Sequence, residues 1–293
     1  GARWADLDDN KTDAGAAYLY RLEENGSVTH LAKVTAPDGT AGDRFGESVS
    51  LSGDLLAVGA CWVTDGAVNA GAVYLYRVES NGSANLLSKV TAPDGLPSVF
   101  FGASLSQSGD LLAVGASHAE SSVETRGGAT YLYRLEENGS ATYLTKVTAP
   151  DDASGDYFGQ SISLSGNLLS VGAFLADSDG KENAGAAYLY RVEENGSATH
   201  LAKVTAPDAA ADDRFGESVS PSDRVLAVGA SWRDENGAVK TGAVYLYRLE
   251  PDDSVKTLGK LIGQPPSPHD NFGESVSLSD RRLVTGVPGF DLP

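Results

Sequence analysis

The chain lacks the features that fix many folds by covalent bonds or by a membrane. Its 293 residues include a single cysteine, Cys61, so no disulfide can form within the chain. No run of 18 apolar residues occurs, which argues against a membrane-spanning helix. Methionine is absent even from the first position, and we therefore expect a mature or partial chain without its targeting signals.

Positive charge is also scarce. The sequence has 22 Lys and Arg against 40 Asp and Glu, which gives a formal net charge of −18. Such a charge repels nucleic acids and anionic membranes and attracts cations and basic partners. The alternative is that the acidic surface only maintains solubility. We predict no nucleic-acid partner and no membrane span.

What the sequence does contain is a repeat of about 57 residues. The pair Phe-Gly recurs with spacings of 56, 57, 57 and 57 residues. A Gly-Ala pair follows each Phe-Gly, altered to Gly286-Val287 in the last copy, and Gly-Ala-x-Tyr-Leu-Tyr-Arg comes next. Repeats of this length indicate a repeat architecture. The Phe-Gly pairs begin at Phe45, Phe101, Phe158, Phe215 and Phe272.

Each repeat reads as four short strands. In the first full copy we predict strands over residues 47–51, 55–60, 72–78 and 86–91. Small serines alternate with Val49 and Leu51 in the first strand, which suits a crowded inner position. Asn-Gly pairs predict a tight hairpin between the third and fourth strands. Such an antiparallel meander cannot cover both of its faces, so it must stack on its neighbours as propeller blades do.

The two chain ends complement each other in this scheme. The chain opens with the end of a second strand followed by strands three and four, and it finishes with strands one and two. We therefore predict one all-β domain over residues 1–293, a five-bladed β-propeller of four-stranded antiparallel blades. The ring would be closed by pairing of the N- and C-terminal strands. The alternative is a fragment of a seven-bladed propeller.

These motifs resemble the FG-GAP repeat, known from the propeller of integrin α subunits and from secreted proteins. The matching segments of the first full repeat begin at Phe45, Leu55 and Gly71. The resemblance implies a propeller and an extracellular location. It also implies a calcium loop of Asp-x-Asp-x-Asp-Gly type between strands one and two. Here short turns such as Ser52-Gly53-Asp54 stand instead, and they cannot supply six to eight oxygen ligands. We expect no calcium at that position.

The longer loops, from strand two to three and from strand four to the next strand one, predict a functional face. One position is bulky in every copy. Exposed indoles there would suit a glycan or protein ligand, whereas the alternative is that these side chains cover the end of the core. The residues are Trp4, Trp62, His118, Leu175 and Trp232.

The same loops are acidic. Asp-x-Asp spacing can place carboxylates around a hard cation, so Ca²⁺ bound in the two-to-three loops is one hypothesis. The alternative is a solvated turn in which Asp bonds its own backbone. The acids just before Phe-Gly, such as Asp43, are assigned a structural role, tying down the incoming loop. Candidate metal ligands are Asp6, Asp8, Asp13, Asp177 and Asp179.

The opposite face carries glycosylation sequons. If the source is a eukaryote and the protein is secreted, these exposed turns would carry glycans. The alternative is that the turn itself demands Asn-Gly and that serine merely follows. The acceptors would be Asn10, Asn25, Asn81, Asn138 and Asn195.

No catalytic constellation stands out from the repeat, and His30 and His200 occupy one repeat position. We therefore predict a non-catalytic extracellular binding or adhesion module that recognises a glycan or protein through the long-loop face. The alternative is a structural repeat subunit of an extracellular filament, coat or larger adhesin, with self-association. An enzyme is the least favoured class, and no cofactor is firmly predicted.

Overall fold

The computed structural model describes residues 1–7, 11–120, 127–151 and 153–289. Every regular element in these ranges is a β-strand, and within them no helix is long and apolar enough to cross a membrane. The strands are β1 (Ala17–Leu22), β2 (Val28–Val34), β3 (Val49–Ser52), β4 (Leu55–Ala60), β5 (Ala72–Val78), β6 (Ala84–Val90), β7 (Ser104–Ser108), β8 (Leu111–Ala116), β9 (Ala129–Leu135), β10 (Ala141–Val147), β11 (Ser161–Ser165), β12 (Leu168–Ala173), β13 (Ala186–Val192), β14 (Ala198–Val204), β15 (Phe215–Ser222), β16 (Val225–Ala230), β17 (Ala243–Leu249), β18 (Val255–Leu261), β19 (Val276–Ser279) and β20 (Arg282–Thr285).

Consecutive strands pair into antiparallel sheets. Four sheets have four strands each, in the orders β3-β4-β5-β6, β10-β9-β8-β7, β11-β12-β13-β14 and β15-β16-β17-β18. Two further sheets, β1-β2 and β19-β20, have two strands each. The predicted all-β class and four-stranded antiparallel meander are therefore confirmed. The second and third predicted strands match β4 and β5 residue for residue.

The chain divides into two compact units. One comprises residues 1–119 with 131–144, and the other comprises residues 120–130 with 145–293. The same packing between neighbouring sheets recurs inside each unit. The single domain over residues 1–293 stays a prediction.

The phenylalanines of the first four Phe-Gly pairs anchor the four-stranded sheets. Phe45 is fully buried, with the rings of Tyr74 and Tyr76 packed edge-on at 5.5 and 6.1 Å. Phe158 meets Tyr188 and Tyr190 in the same way, at 5.4 and 6.1 Å. Complete burial of such a side chain stabilises the fold by about 1.5–3 kcal/mol. The alternation of Tyr-Leu-Tyr puts both tyrosines on the face that covers this ring.

The glycine of the Gly-Ala pair is needed because neighbouring sheets approach closely. A Cβ on Gly59 would lie 2.1 Å from the carbonyl oxygen of Gly102, which begins the next sheet. The same carbonyl accepts a hydrogen bond of 2.7 Å from Ser48 Oγ. No larger residue fits between these backbones, so the sequence keeps glycine at this point of contact.

Serine side chains connect the first strands of neighbouring sheets. The backbone N–H of Gln107 donates to Ser50 Oγ at 3.0 Å, and that of Leu278 donates to Ser220 Oγ at 2.9 Å. A short side chain that accepts a hydrogen bond can fill this narrow space, whereas a branched apolar one cannot satisfy the N–H. The prediction of a crowded first strand is confirmed.

In three of the four-stranded sheets, an Asp-Tyr-Lys contact ties the incoming loop to the sheet. Tyr245 Oη donates to Asp208 Oδ1 at 2.7 Å, and Lys260 Nζ donates to Asp208 Oδ2 at 3.0 Å. Burial raises the pKa of Asp208, but the hydrogen bonds from Tyr245 and Lys260 and the charge of Arg233 outweigh it and hold that pKa below its usual value. The corresponding groups elsewhere are Asp38, Tyr74 and Lys89, and Asp151, Tyr188 and Lys203.

A second aspartate closes the same loop. Asp213 Oδ2 accepts the N–H of Ala210 at 2.7 Å, and Asp43 Oδ2 accepts that of Thr40 at 2.7 Å. Both carboxylates are buried. The structural role predicted for this position is confirmed, because the acid satisfies a turn N–H inside its own loop.

The predicted closure of the ring is not confirmed. The described strands contain no sheet that joins β1 to β20. Within the first unit, Ala2 lies beside β1 and exchanges backbone hydrogen bonds of 2.7 and 3.1 Å with Ala16. In the sequence, Pro265 stands at the repeat position that Asp208 holds in the preceding repeat. Tyr18 and Tyr20 remain 41% and 56% exposed, unlike their buried counterparts.

The Asp-Tyr-Lys contact predicts a specific pH dependence. A folded-state pKa below the unfolded value stabilises the fold above the unfolded pKa of about 3.9, and this stability disappears as pH falls through the folded pKa. We expect Asp208→Asn to melt at a lower temperature near neutral pH. Its melting temperature should also fall less than that of the wild type between about pH 6 and about pH 3. Thermal melts followed by circular dichroism measure both.

Asp54→Asn is the matched control. Its carboxylate is 62% exposed, and its ion pair with Arg77 is 3.7 Å long. Exposed pairs of this kind contribute little. The role given to Asp208 would be wrong if two results held. Asp208→Asn and Asp54→Asn would lose the same stability near neutral pH, and their melting temperatures would fall equally between about pH 6 and about pH 3.

Candidate functional site

Aromatic and cationic side chains interleave on the long loops of the first unit. The guanidinium carbon of Arg44 lies 4.2 Å from the ring centroid of Trp4 and 4.1 Å from that of Trp62. Phe100 continues the row, 5.3 Å from Trp62 and 4.7 Å from the ring of His118. We call these five residues the first stack. Three predicted ligand-binding residues, Trp4, Trp62 and His118, are thus brought together.

The second unit has a corresponding row, which we call the second stack. Tyr157 packs against Phe174 at 5.4 Å, and the Arg214 guanidinium carbon lies 5.5 Å from Phe174. Arg214 and Lys240 then contact Trp232, at 3.2 and 3.4 Å from its ring centroid. Two cations this close to the same ring centroid must lie on opposite faces of the indole. Trp232, a predicted site residue, is therefore the centre of this row.

An uncommon backbone conformation positions the residues between the tryptophans. Arg44, Phe100, Tyr157 and Arg214 directly precede the four fully buried phenylalanines, with φ between 54° and 59°. A residue with a Cβ pays about 1–2 kcal/mol in this left-handed region, where glycine would be easier. Backbone hydrogen bonds hold it there, for example from the Arg44 N–H to the Asp13 carbonyl at 3.1 Å.

Sequence reasoning missed these intervening residues. A signal was present, because the position before Phe-Gly is large in four of five repeats, although its chemistry alternates between Arg and an aromatic ring. Leu175 was also predicted for the bulky position. It is half-buried, and the neighbouring Phe174 supplies the ring of the second stack instead.

The stacks leave little indole face open. Trp4 is 52% exposed and Trp62 is 36% exposed, yet Arg44 covers a face of each. Trp232 is covered by a cation on both faces. A sugar ring stacks on the face of an indole, whereas a protein side chain can also pack on its edge. The arrangement therefore offers edges and cationic groups rather than flat platforms.

Beneath the first stack, Cys61 is buried and chemically quiet. Burial, together with the charge of Glu47, raises the pKa of its thiol to about 12. Glu47 is itself ion-paired with Arg3. The thiol is therefore protonated near neutral pH and is a poor nucleophile.

The acidic loops use their carboxylates on their own backbone. Asp6 Oδ1 accepts the Asp13 N–H at 2.9 Å, and Asp177 Oδ1 accepts the Asn183 N–H at 2.9 Å. Within residues 1–7, 11–120, 127–151 and 153–289, no three His, Cys, Asp or Glu side chains form a group that could hold a metal ion. Asp179 belongs to no such group, and Asp8 lies outside the described residues. The local contacts are those of a solvated turn.

The sequons occupy the hairpins between third and fourth strands. Asn81 Oδ1 accepts hydrogen bonds from the Ser83 N–H at 2.9 Å and from Ser83 Oγ at 2.8 Å. The side chains of Asn25, Asn138 and Asn195 make the same contact with the serine N–H and are exposed. Asn10 lies outside the described residues.

Comparison with known proteins agrees with the repeat and the sheets. A solved structure of a structural-genomics target protein from Lactobacillus plantarum matches with a TM-score of 0.53 and 15% identity. The match covers 83% of this chain and 62% of that chain, and it shows a β-propeller-like fold alone. No curated protein sequence matches the chain.

The sequence pattern described as FG-GAP repeat matches four segments, each running from the fourth strand of one repeat to the third strand of the next. They are residues 28–76, 85–133, 142–190 and 199–247, more than half of the chain. The chain therefore belongs to the FG-GAP repeat family.

Proposed function

We propose that this chain is a non-catalytic binding or adhesion module that acts outside the cell and contacts its ligand, a glycan or a protein, through the long-loop face. The observation that carries the proposal is the left-handed backbone that places Arg44 and Phe100 against the tryptophans of the first stack. Large Arg and aromatic side chains that the backbone holds rigid at a surface suit a binding contact.

Covering the core is not enough to explain the first stack. Trp4 is half exposed, although a side chain that only sealed the end of a sheet would gain most by complete burial. The αL conformation at Arg44 and Phe100 also costs energy that glycine would avoid. Large aromatic and Arg side chains held rigid at a surface are the residues that dominate binding interfaces.

Between the two ligand classes, the covered indole faces favour a protein. Sugar recognition depends on an open aromatic face, and Arg44 covers a face of both Trp4 and Trp62. Indole edges and guanidinium groups suit side chains of a partner protein. A glycan ligand would have to approach at the edge of the stack.

The first test is loss of ligand binding on substitution of the stack tryptophans. We screen the wild-type chain on a glycan array and a peptide array, then compare Trp62→Ala and Trp232→Ala on every hit. Truncating a central aromatic contact should weaken binding by roughly 2 kcal/mol or more, about 30-fold. Biolayer interferometry gives the dissociation constants.

Leu86→Ala is the control, because Leu86 is 43% exposed on β6, away from the long loops. It should bind like the wild type. Trp62→Phe separates loss of contact from loss of folding, since it keeps a ring against Arg44. If both tryptophan variants bind the array hits as tightly as the wild type does, the long-loop face is not the binding face.

A structural subunit of an extracellular assembly is the second candidate, favoured by an exposed apolar groove in the first unit. A cavity of about 320 Å³ lies along β1 and β3, lined by residues that include Tyr18, Tyr20 and Leu51. Tyr20 and Leu51 are 56% and 57% exposed. Exposed apolar surface beside an unpaired strand edge is suited to association with another strand.

For the architecture, we propose a five-bladed propeller in which β20 pairs with β1 in the register of β4 and β5. That register places Leu283 opposite Tyr20, as Leu56 is opposite Tyr76. The alternative is that the repeats are part of a seven-bladed propeller. The missing carboxylate at Pro265 makes this junction weaker than the others, because Tyr18 has no Asp to bond.

A cysteine pair decides between closure and assembly. Tyr20→Cys with Leu283→Cys, in a Cys61→Ala background, should form an intramolecular disulfide on mild oxidation, because directly opposed residues lie within reach. Non-reducing electrophoresis and mass spectrometry identify the product, and each single cysteine is the control. A disulfide-linked dimer would favour the structural subunit, and unreacted thiols would contradict both pairings.

The extracellular location predicts glycans on the Asn-Gly hairpins. In protein isolated from a eukaryotic host that secretes it, Asn81 and Asn195 should be modified, because both side chains are exposed. Mass spectrometry before and after peptide N-glycosidase F detects the change at each site. Secreted protein with unmodified Asn81, Asn138 and Asn195 would show that these residues serve the turn alone.

A further inference from the structure

We propose that the first stack recognises a carboxylate, the side chain of an Asp or Glu on a protein partner, with Arg44 as the group that binds it. This inference rests on the proposed function and names the chemistry that the long-loop face selects.

Within the part of the chain that the structure describes, the charge of Arg44 is not paired. Its guanidinium lies between the indoles of Trp4 and Trp62, and among the described residues it makes no hydrogen bond or ion pair through its side chain. The adjacent Arg3 and Glu47 pair with each other and so neutralise one another. What distinguishes Arg44 from other cations of the chain is that two indoles hold its guanidinium in place.

The position of Arg44 suits a bidentate ligand. Stacking on two indoles covers the faces of the planar guanidinium, and its N–H groups point out of its edge. Two of these N–H groups lie side by side, like the prongs of a fork, and a carboxylate accepts two parallel hydrogen bonds from them. Because the αL backbone and the two rings already fix the side chain, binding costs little of the rotamer entropy that a free surface arginine would lose.

The same combination recurs in the second unit. Arg214, at the equivalent repeat position, lies over Trp232, with Lys240 on the other face of the indole. Its nearest carboxylate, Glu217, is 4.0 Å away, at the limit of an ion pair. Two of the five repeats thus present an arginine on an indole, although each unit could have used an aromatic ring there, as Phe100 shows.

The net charge limits what kind of anion can bind. A polyanion such as nucleic acid or a heavily sulfated glycan would be repelled by the surrounding acidic surface. A single carboxylate on an otherwise uncharged or basic partner avoids that repulsion. The indole edges beside Arg44 would then contact the aliphatic part of the Glu or Asp side chain.

The test follows the three tryptophan indole N–H signals by NMR. The probe is N-acetyl-glutamic acid α-amide, whose only charge is the side-chain carboxylate, and the matched control is N-acetyl-glutamine amide. We expect the glutamate probe alone to shift the Trp4 and Trp62 signals in a saturable way. In Arg44→Gln these shifts should need roughly ten-fold more probe, because a charge-assisted hydrogen bond is lost.

Each arginine serves as the control for the other. In Arg44→Gln the Trp232 response should be unchanged, and in Arg214→Gln the Trp4 and Trp62 responses should be unchanged. Arg44→Lys keeps the charge without the fork and should bind more weakly than the wild type. Equal shifts with the glutamine probe, no shift with either probe, or wild-type titration of Arg44→Gln would overturn the inference.

Two further outcomes separate the inference from the proposed function. Methyl glucuronide is titrated in parallel, and tighter, Arg44-dependent binding of this sugar acid would overturn the assignment to a protein carboxylate. If Trp62→Ala abolishes binding to array hits while Arg44→Gln leaves it intact, the long-loop face remains the binding face but carboxylate recognition is wrong. If neither change matters, both proposals fail.

Discussion

The fold depends on the burial of one phenylalanine in each four-stranded sheet under two tyrosines of the same sheet. Phe45 and Phe158 are completely enclosed in this way, and the backbone around them is drawn so close that Gly59 meets the carbonyl of Gly102. The other repeated contacts accompany this close approach. The serines of the first strand, the aspartates of the incoming loop and the Gly-Ala pair each satisfy a group that the close approach would leave unpaired.

The fold was largely predictable because this contact repeats. Four strands per period, the hairpin at Asn81-Gly82 and the structural role of Asp43 all follow from residues that recur at fixed spacing. The junction of the chain ends was not predictable in the same way. Pro265 replaces the aspartate of the other repeats at this point, and a periodicity gives no weight to one changed residue.

Only some residues of the candidate site could be predicted from the sequence. Trp4, Trp62 and Trp232 stand out because tryptophan is rare in this chain. Arg44 and Phe100 do not stand out, because nothing local marks a left-handed backbone at a residue with a Cβ. That conformation is imposed by hydrogen bonds from a distant loop, such as the one that Asp13 accepts, and no spacing rule contains it. In the acidic loops, Asp6 and Asp177 accept hydrogen bonds from their own turns, and cation binding there stays a prediction.

The residue before Phe-Gly separates what the fold requires from what it leaves free. The fold requires a left-handed backbone there, since the next residue must enter the core, and glycine would satisfy that requirement at the lowest cost. It does not require any side chain, as the change from Arg44 to Phe100 to Asn271 shows. Because the fold needs no large side chain there, the stacking of Arg44 on surface indoles is the feature from which we propose a ligand.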